Sequence, residues 1–419
     1  MFAIYWIAEE KIQNSHPKLF SKEHFETFSA KHSWEPGWLV ELRKESWESL
    51  KNIESNDLKK ESWRFSPRSR FGYSRYNSIA DSSNSLKFTK SFDSNQCICD
   101  SVDNILLKHP DIVSCFTDAK GPNLGAIQTY QLINTYFNNG FFIKVPKQIN
   151  ENLRIEVDHC LPMSENVTFH RNFVTLEDFA ELTIIETYSD DNHIHKGALS
   201  NLTHFKIGKG AKLNRILIQN SSSESSFYNL ENFDLHADSS VVNVECYLGA
   251  NQSRIETKGN LLESGSCFKN FSFVSAKSEQ LFDQRTEQHH LAPNCSSNLL
   301  SKNVLQDQSK AIFSGLIRVD PEAQHTNALQ TNRNLLLSKE AEADSLPGLE
   351  ILANDVRCTH GATTSRLNQE ELFYLLSRGI KKKNAESLIC LGFLEEILDK
   401  IPDENLAKKI RELVCTHFN

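Results

Sequence analysis

A thiol and an imidazole stand two residues apart in the run RCTHGATTS at 357–365. Alternate side chains of a β-strand share a face, so a strand here points Cys358 and His360 the same way. Sulfur and imidazole together suit iron, zinc or copper. Two donors do not close a metal or cluster site that wants four. If the pair is functional, the remaining ligands come from elsewhere. A buried cysteine beside a hydrogen-bonded histidine is the plain structural alternative.

Other clusters are weaker. His289, His290 and Cys295 are soft or borderline donors close in sequence, but their spacing matches no standard metal signature. Cys97 and Cys99 would share a strand face beside a Ser/Asn-rich stretch, and His193 and His195, next to Asp190 and Asp191, read as a surface loop. Cys415 and His417 repeat the Cys-x-His spacing on an expected helix, where residues two apart diverge by about 200° and cannot chelate together. No phosphate-binding GxxxxGK[ST] loop is present, and Gly208 and Gly210 open none, so ATP hydrolysis by this chain is not expected. There is no GxSxG, HExxH or complete GxGxxG.

The 419 residues carry a formal net charge of −8, which argues against nucleic acid as the main partner. A mean hydropathy of −0.45 and the lack of an eighteen-residue apolar run argue against membrane insertion. The apolar opening MFAIYWIA lacks a basic flank and meets Glu9 and Glu10, so a secretory signal is not expected. Ten thinly spread cysteines with no CxxC pair suit a reducing cytoplasm.

These residues must be positioned by an elongated scaffold. All five tryptophans fall in the first 63 positions, and residues 1–65 read as a small helical region. Residues 66–103 read as a polar connector with little regular structure. Residues 104–365 read as the core, in which short β-rich runs are punctuated by small residues. Ala180, Ala211, Ser240 and Ser266 recur at steps of about 31, 29 and 26, the period of solenoid coils. Further punctuation falls near Ser309, Ala323 and Ala343. The expected fold class is mainly β, a parallel β-helix flanked by helical regions, with a β-sandwich as the alternative. Residues 366–419 form a C-terminal helical domain. Asn368 caps a helix that ends at Gly379, a second helix buries Leu388, Leu391, Leu394 and Leu398, and a third opens at Pro402 with Leu406, Ile410, Leu413 and Val414 on one face. Such a domain could cover the exposed end of the coil stack.

Several ordered blocks carry a family resemblance: RNLLLS at 333–338, LEILANDV at 349–356, CTHGAT at 358–363 and LFYLLSRGI at 372–380. HLAPNC at 290–295, AQHTNALQ at 323–330 and ESWRF at 61–65 add to them. In these the chain resembles the SufB/SufD family of iron–sulfur cluster assembly proteins, SufD more than SufB. The resemblance implies a β-helix between helical regions and a non-catalytic assembly subunit. It implies pairing with a SufB-like paralogue through the β-helix and docking of a SufC-like ABC ATPase on the C-terminal helices. It implies that His360 is a ligand of an iron–sulfur cluster shared transiently with the partner, with Cys358 auxiliary. Flavin binding and a homodimer of the isolated chain are left open. A SufB-like primary scaffold and a β-helix carbohydrate-active enzyme are the alternative functions.

Overall fold

The computed structural model describes residues 20–53, 61–80, 86–90, 97–109, 120–149, 153–162, 165–190 and 195–417. His193 lies outside them. Two helices come first, α1 (Lys22–Lys31), capped by the Ser21 hydroxyl, and α2 (Gly37–Lys51). Short strands follow at β1 (Ser78–Ile79), β2 (Leu86–Lys90) and β3 (Ile98–Ser101), then α3 (Val102–Lys108) and α4 (Ile127–Tyr136). The connector expected to lack regular structure therefore supplies strands to both sheets.

The core is a parallel β-solenoid of about seven turns. One sheet stacks β4 (Phe141–Val145), β6 (Asn166–Leu176), β8 (Ala198–Ile207), β10 (Ser226–Leu235), β12 (Gln252–Leu261), β14 (Leu281–His290), β16 (Lys310–Val319) and β18 (Glu342–Ile351). The other stacks β5 (Arg154–Cys160), β7 (Glu181–Ser189), β9 (Lys212–Asn220), β11 (Ser240–Tyr247), β13 (Cys267–Ala276), β15 (Ser296–Leu305), β17 (Asn327–Leu336) and β19 (Arg357–Arg366). The register climbs from Glu181 through Lys212, Ser240, Cys267, Ser296 and Asn327 to Arg357, so each coil is 27 to 31 residues long.

The coil corner explains the small-residue punctuation. A residue with positive φ (Phe179, Gly210, Asp238, Gly265, Asn294 or His325) is followed by a buried small one. Those followers are Ala180, Ala211, Ser239, Ser266, Cys295 and Thr326. Ser239 fills the corner expected at Ser240, and the half-buried Ser240 already begins β11. A larger side chain at the follower would collide with the coils above and below, which lie about 4.8 Å away.

Both outer faces are partly covered. Phe71, Tyr73, Tyr76 and α4 pack on Phe169, Leu202, Tyr228 and Leu230 of the first sheet. The ESWRF segment is locked there: Arg254 sits 4.2 Å over the Trp63 ring and donates to the carbonyls of Ser62 and Leu124. Trp63 Nε1 donates to the Gly125 carbonyl, and Arg285 to that of Arg64.

The C-terminal helices are α5 (Gln369–Ser377), α6 (Lys382–Leu398) and α7 (Glu404–His417). Asn368 caps α5 by accepting from Glu370 N, and Gly379 follows it at φ 82°. Cys390, Leu394, Ile397, Ile410 and Val414 pack on Ile185, Ile216, Val244, Phe271 and Leu300, the outer face of the second sheet. The helices thus cover the side of the stack rather than its end. The buried stripe of α6 also differs from expectation: Leu388 is 49% exposed, and Ala385 and Cys390 lie inward.

Candidate functional site at the open end of the solenoid

β18 and β19 close the stack, and among the described residues each pairs on one edge only, with β16 and β17. Both are ten residues long with no buried residue, β18 mostly half-buried and β19 largely exposed. Pro347 in β18 costs little there, because an edge strand tolerates a missing donor. Leu349, Ile351 and Leu352 are exposed around this end, as is Leu329 on β17.

Cys358 and His360 lie on β19, in register with Ala328 and Gln330. Asn334 Nδ2 donates to Thr364 Oγ1 at 3.1 Å, which shows that the even-numbered side chains of β19 face the solenoid interior. Cys358 and His360 therefore share that face, as their spacing predicts. Cys358 is half-buried against the Ile317, Val319, Ala328 and Ala353 cluster. Burial pushes its thiol above the ordinary range, so the sulfur is a metal ligand only after losing its proton. His360 is exposed, since among the described residues no further coil covers the strand. Among the described residues no group of three or more His, Cys, Asp and Glu is disposed to hold a metal ion. The pair offers one sulfur and one nitrogen donor toward whatever meets this end, and the donor set suits iron.

The other clusters do not converge. His289 and His290 are neighbours on β14 and face opposite sides of the sheet. His290 lies inside, 2.8 Å from Ser297 Oγ, with its imidazole held down to about 4 by burial. His289 turns outward to Asp320 at 3.0 Å. Cys295 is buried at a coil corner and bonded to Ser266 and the Glu263 carbonyl. Cys99 is buried, and its thiol is pushed up to about 11. His195 is buried, not on a surface loop: its backbone N–H donates to Asp190 and its ring meets the Leu161 carbonyl. Cys415 and His417 lie on α7 as expected.

A buried polar column inside the solenoid went unseen in the sequence. Arg215 is fully buried and meets Glu186 at 2.6 Å, Glu231 at 2.5 Å and Glu245 at 3.4 Å. Tyr188 donates to Glu186, Asn229 to Glu231 and Asn243 to Glu245. His159 stacks on Tyr188, and its Nδ1 lies 3.3 Å from that of His170. Burial first, and Glu231 second, push the Glu245 carboxyl well above the usual range. One guanidinium faces three acidic side chains, so the neutral form of Glu245 is favoured. These residues lie on different strands, and only the inter-coil register brings them together.

Among the described residues no helix is long and apolar enough to cross a membrane. Residues 159–393, more than half the chain, match the SUF system FeS cluster assembly, SufBD core domain family. The chain is 31% identical over 245 residues to the iron–sulfur cluster assembly protein SufD of Escherichia coli, covering 58% of each. It is 24% identical over 308 residues to SufD of Bacillus subtilis, covering 73% of this chain and 70% of that one. A SufBD family protein of Synechocystis is 31% identical over 251 residues, 58% of this chain and 55% of its own length. The chain thus spans a little over half the length of the E. coli and Synechocystis relatives.

Proposed function

Because the chain belongs to the SufB/SufD family of iron–sulfur cluster assembly proteins, we propose that it is an accessory, non-catalytic assembly subunit of the SufD kind, working in the cytoplasm. The observation that carries this is the open end, where two ten-residue edge strands, exposed leucine and isoleucine side chains and two inward-facing metal donors coincide. Long unpaired edges are templates for further strands. A SufB-like paralogue whose own solenoid end abuts this one would satisfy the edges and supply the missing ligands. The nascent cluster is then cargo held between two chains, with His360 as a ligand from this side and Cys358 as an auxiliary one. Phe373, Tyr374 and Leu376 on α5 and Leu388 on α6 are exposed apolar side chains, and these helices would receive a SufC-like ATPase.

The test is co-expression with SufB-like and SufC-like partners, followed by His360→Ala. Loss of cluster formation with the complex intact is the expected result. Unchanged cluster formation removes His360 from the mechanism, and failure to co-purify removes the proposed partners. Cluster reconstitution on the isolated chain would favour a SufB-like primary scaffold.

A further inference from the structure

A second concavity lies on the outer face of the first sheet, away from the open end and from the helices packed on the other sheet. It has a volume of about 1230 Å³. Its floor is built from two ladders of outward side chains. One runs through Lys144, Thr175, Lys206, Asp234 and Asn260, the other through His204, Asn232 and Lys258. Its wall is residues 120–123. That wall is pressed against α4, since a Cβ at Gly121 would lie 2.5 Å from the Tyr130 ring.

The lining is basic in a chain of net charge −8. Six lysines line it (Lys120, Lys144, Lys147, Lys206, Lys209 and Lys258), against four acids. Each acid is already engaged. Glu177 meets Lys144 at 3.0 Å, and Asp178 meets Lys147 at 3.1 Å. Glu263 meets His236 at 2.9 Å and accepts from the Ala237 backbone. Asp234 meets His204 at 3.2 Å and accepts from both Asn232 and Asn260. Lys258 is paired with Glu287. Lys120, Lys206 and Lys209 are exposed and make no ion pair among the described residues. The sheet holds the floor rigidly, and the Asp234 hydrogen bonds fix its polar centre.

We propose that this concavity binds a small ligand carrying two or more phosphate groups. Free lysines serve phosphate as compact point charges with rotatable donors. None of the lining residues is arginine. Spacing along the ladder supports more than one anionic group, because lysines two coils apart stand about 10 Å from each other. The site is independent of cluster assembly at the open end and stands or falls separately from it.

The experiment is calorimetric titration of the full chain with inorganic pyrophosphate, with citrate as the carboxylate comparator. Saturable pyrophosphate binding that weakens with added salt is expected. Lys120→Ala, Lys206→Ala and Lys209→Ala should each weaken it, by roughly tenfold where the lysine contacts the ligand directly. Lys382→Ala on α6 should not change it. Thermal melting checks that each variant is folded, and Lys206→Gln replaces any that is not. Absence of saturable binding, equal binding by all lysine variants, or citrate binding as tight as pyrophosphate would overturn the proposal.

Discussion

Arg215→Met removes the one cation from the interior column and leaves its carboxylates without a counter-charge. The guanidinium is fully buried and touches three carboxylates, themselves at most 2% exposed. Breaking a buried ion pair on one side costs about 3–5 kcal/mol. An unfolding entropy of roughly 2.1 cal/mol/K per residue makes each kcal/mol worth about 1 °C in a chain this long, so the expected drop in melting temperature is about 3–6 °C. The loss should depend on pH, with a sign that follows from proton counting. Without Arg215 the buried acidic cluster loses the charge that favoured its ionised form, so the folded variant holds protons at pH values where the unfolded chain has released them. The folded state then binds more protons, and stability falls as pH rises above about 4.5. The assay is urea unfolding followed by far-ultraviolet circular dichroism at pH 5 and pH 8. The variant should lose more at pH 8. Replacing Arg215 and all three glutamates by neutral residues of similar shape should recover most of the loss, since no charge is then stranded. A variant within about 1 kcal/mol of the parent at pH 8, or one equally affected at both pH values, would refute the account.

Trp63→Ala removes the ring under Arg254 and the bond to the Gly125 carbonyl. It should cost about 2–3 kcal/mol, below the full-burial range because the ring is partly exposed. Trypsin should then release the first eighty residues before it cuts the solenoid. The buried imidazoles predict acid sensitivity. Burial lowers His159 to about 3 and His290 to about 4, and His170 also falls well below its ordinary value. Between pH 6.5 and 4 the unfolded chain therefore binds more protons than the folded one, and stability falls as pH falls, by ~1.4 kcal/mol per unit for each such histidine. Melting midpoints at pH 7 and pH 5 measure this, and His290→Gln should narrow the gap between them.

The parts of the fold legible in the sequence are those set by neighbours along the chain. Asn368 and Gly379 marked the ends of α5 because capping is local chemistry. The corner residues Ala180 and Ala211 were legible because each coil repeats the same steric demand. The corner at Ser239 was displaced by one position, since its coil is 28 residues long and a serine stands on both sides of the step. The inward face of α6 was misread at Leu388. Lys382–Leu398 is apolar around much of its circumference, so periodicity alone could not orient it. The column around Arg215 and the lock between Trp63 and Arg254 join residues up to 191 positions apart, and no local pattern announces such contacts. At the candidate site, the shared face of Cys358 and His360 was legible from alternation, whereas the openness of the strand that carries them was not.

The two ends of the stack are unlike, and that difference limits how many units can join. At the first end β2 and β3 run antiparallel to β5 and β4 and are only five and four residues long. β2 also carries Lys87 and Lys90, so this end is blunted against further growth. Among the described residues, only the last coil offers full-length bare edges. In the proposed pairing, one adhesive terminus and one blocked terminus would give a pair but not a filament, so growth would stop at two solenoids. Whatever is built at the junction therefore sits at a single seam, with one such seam per pair.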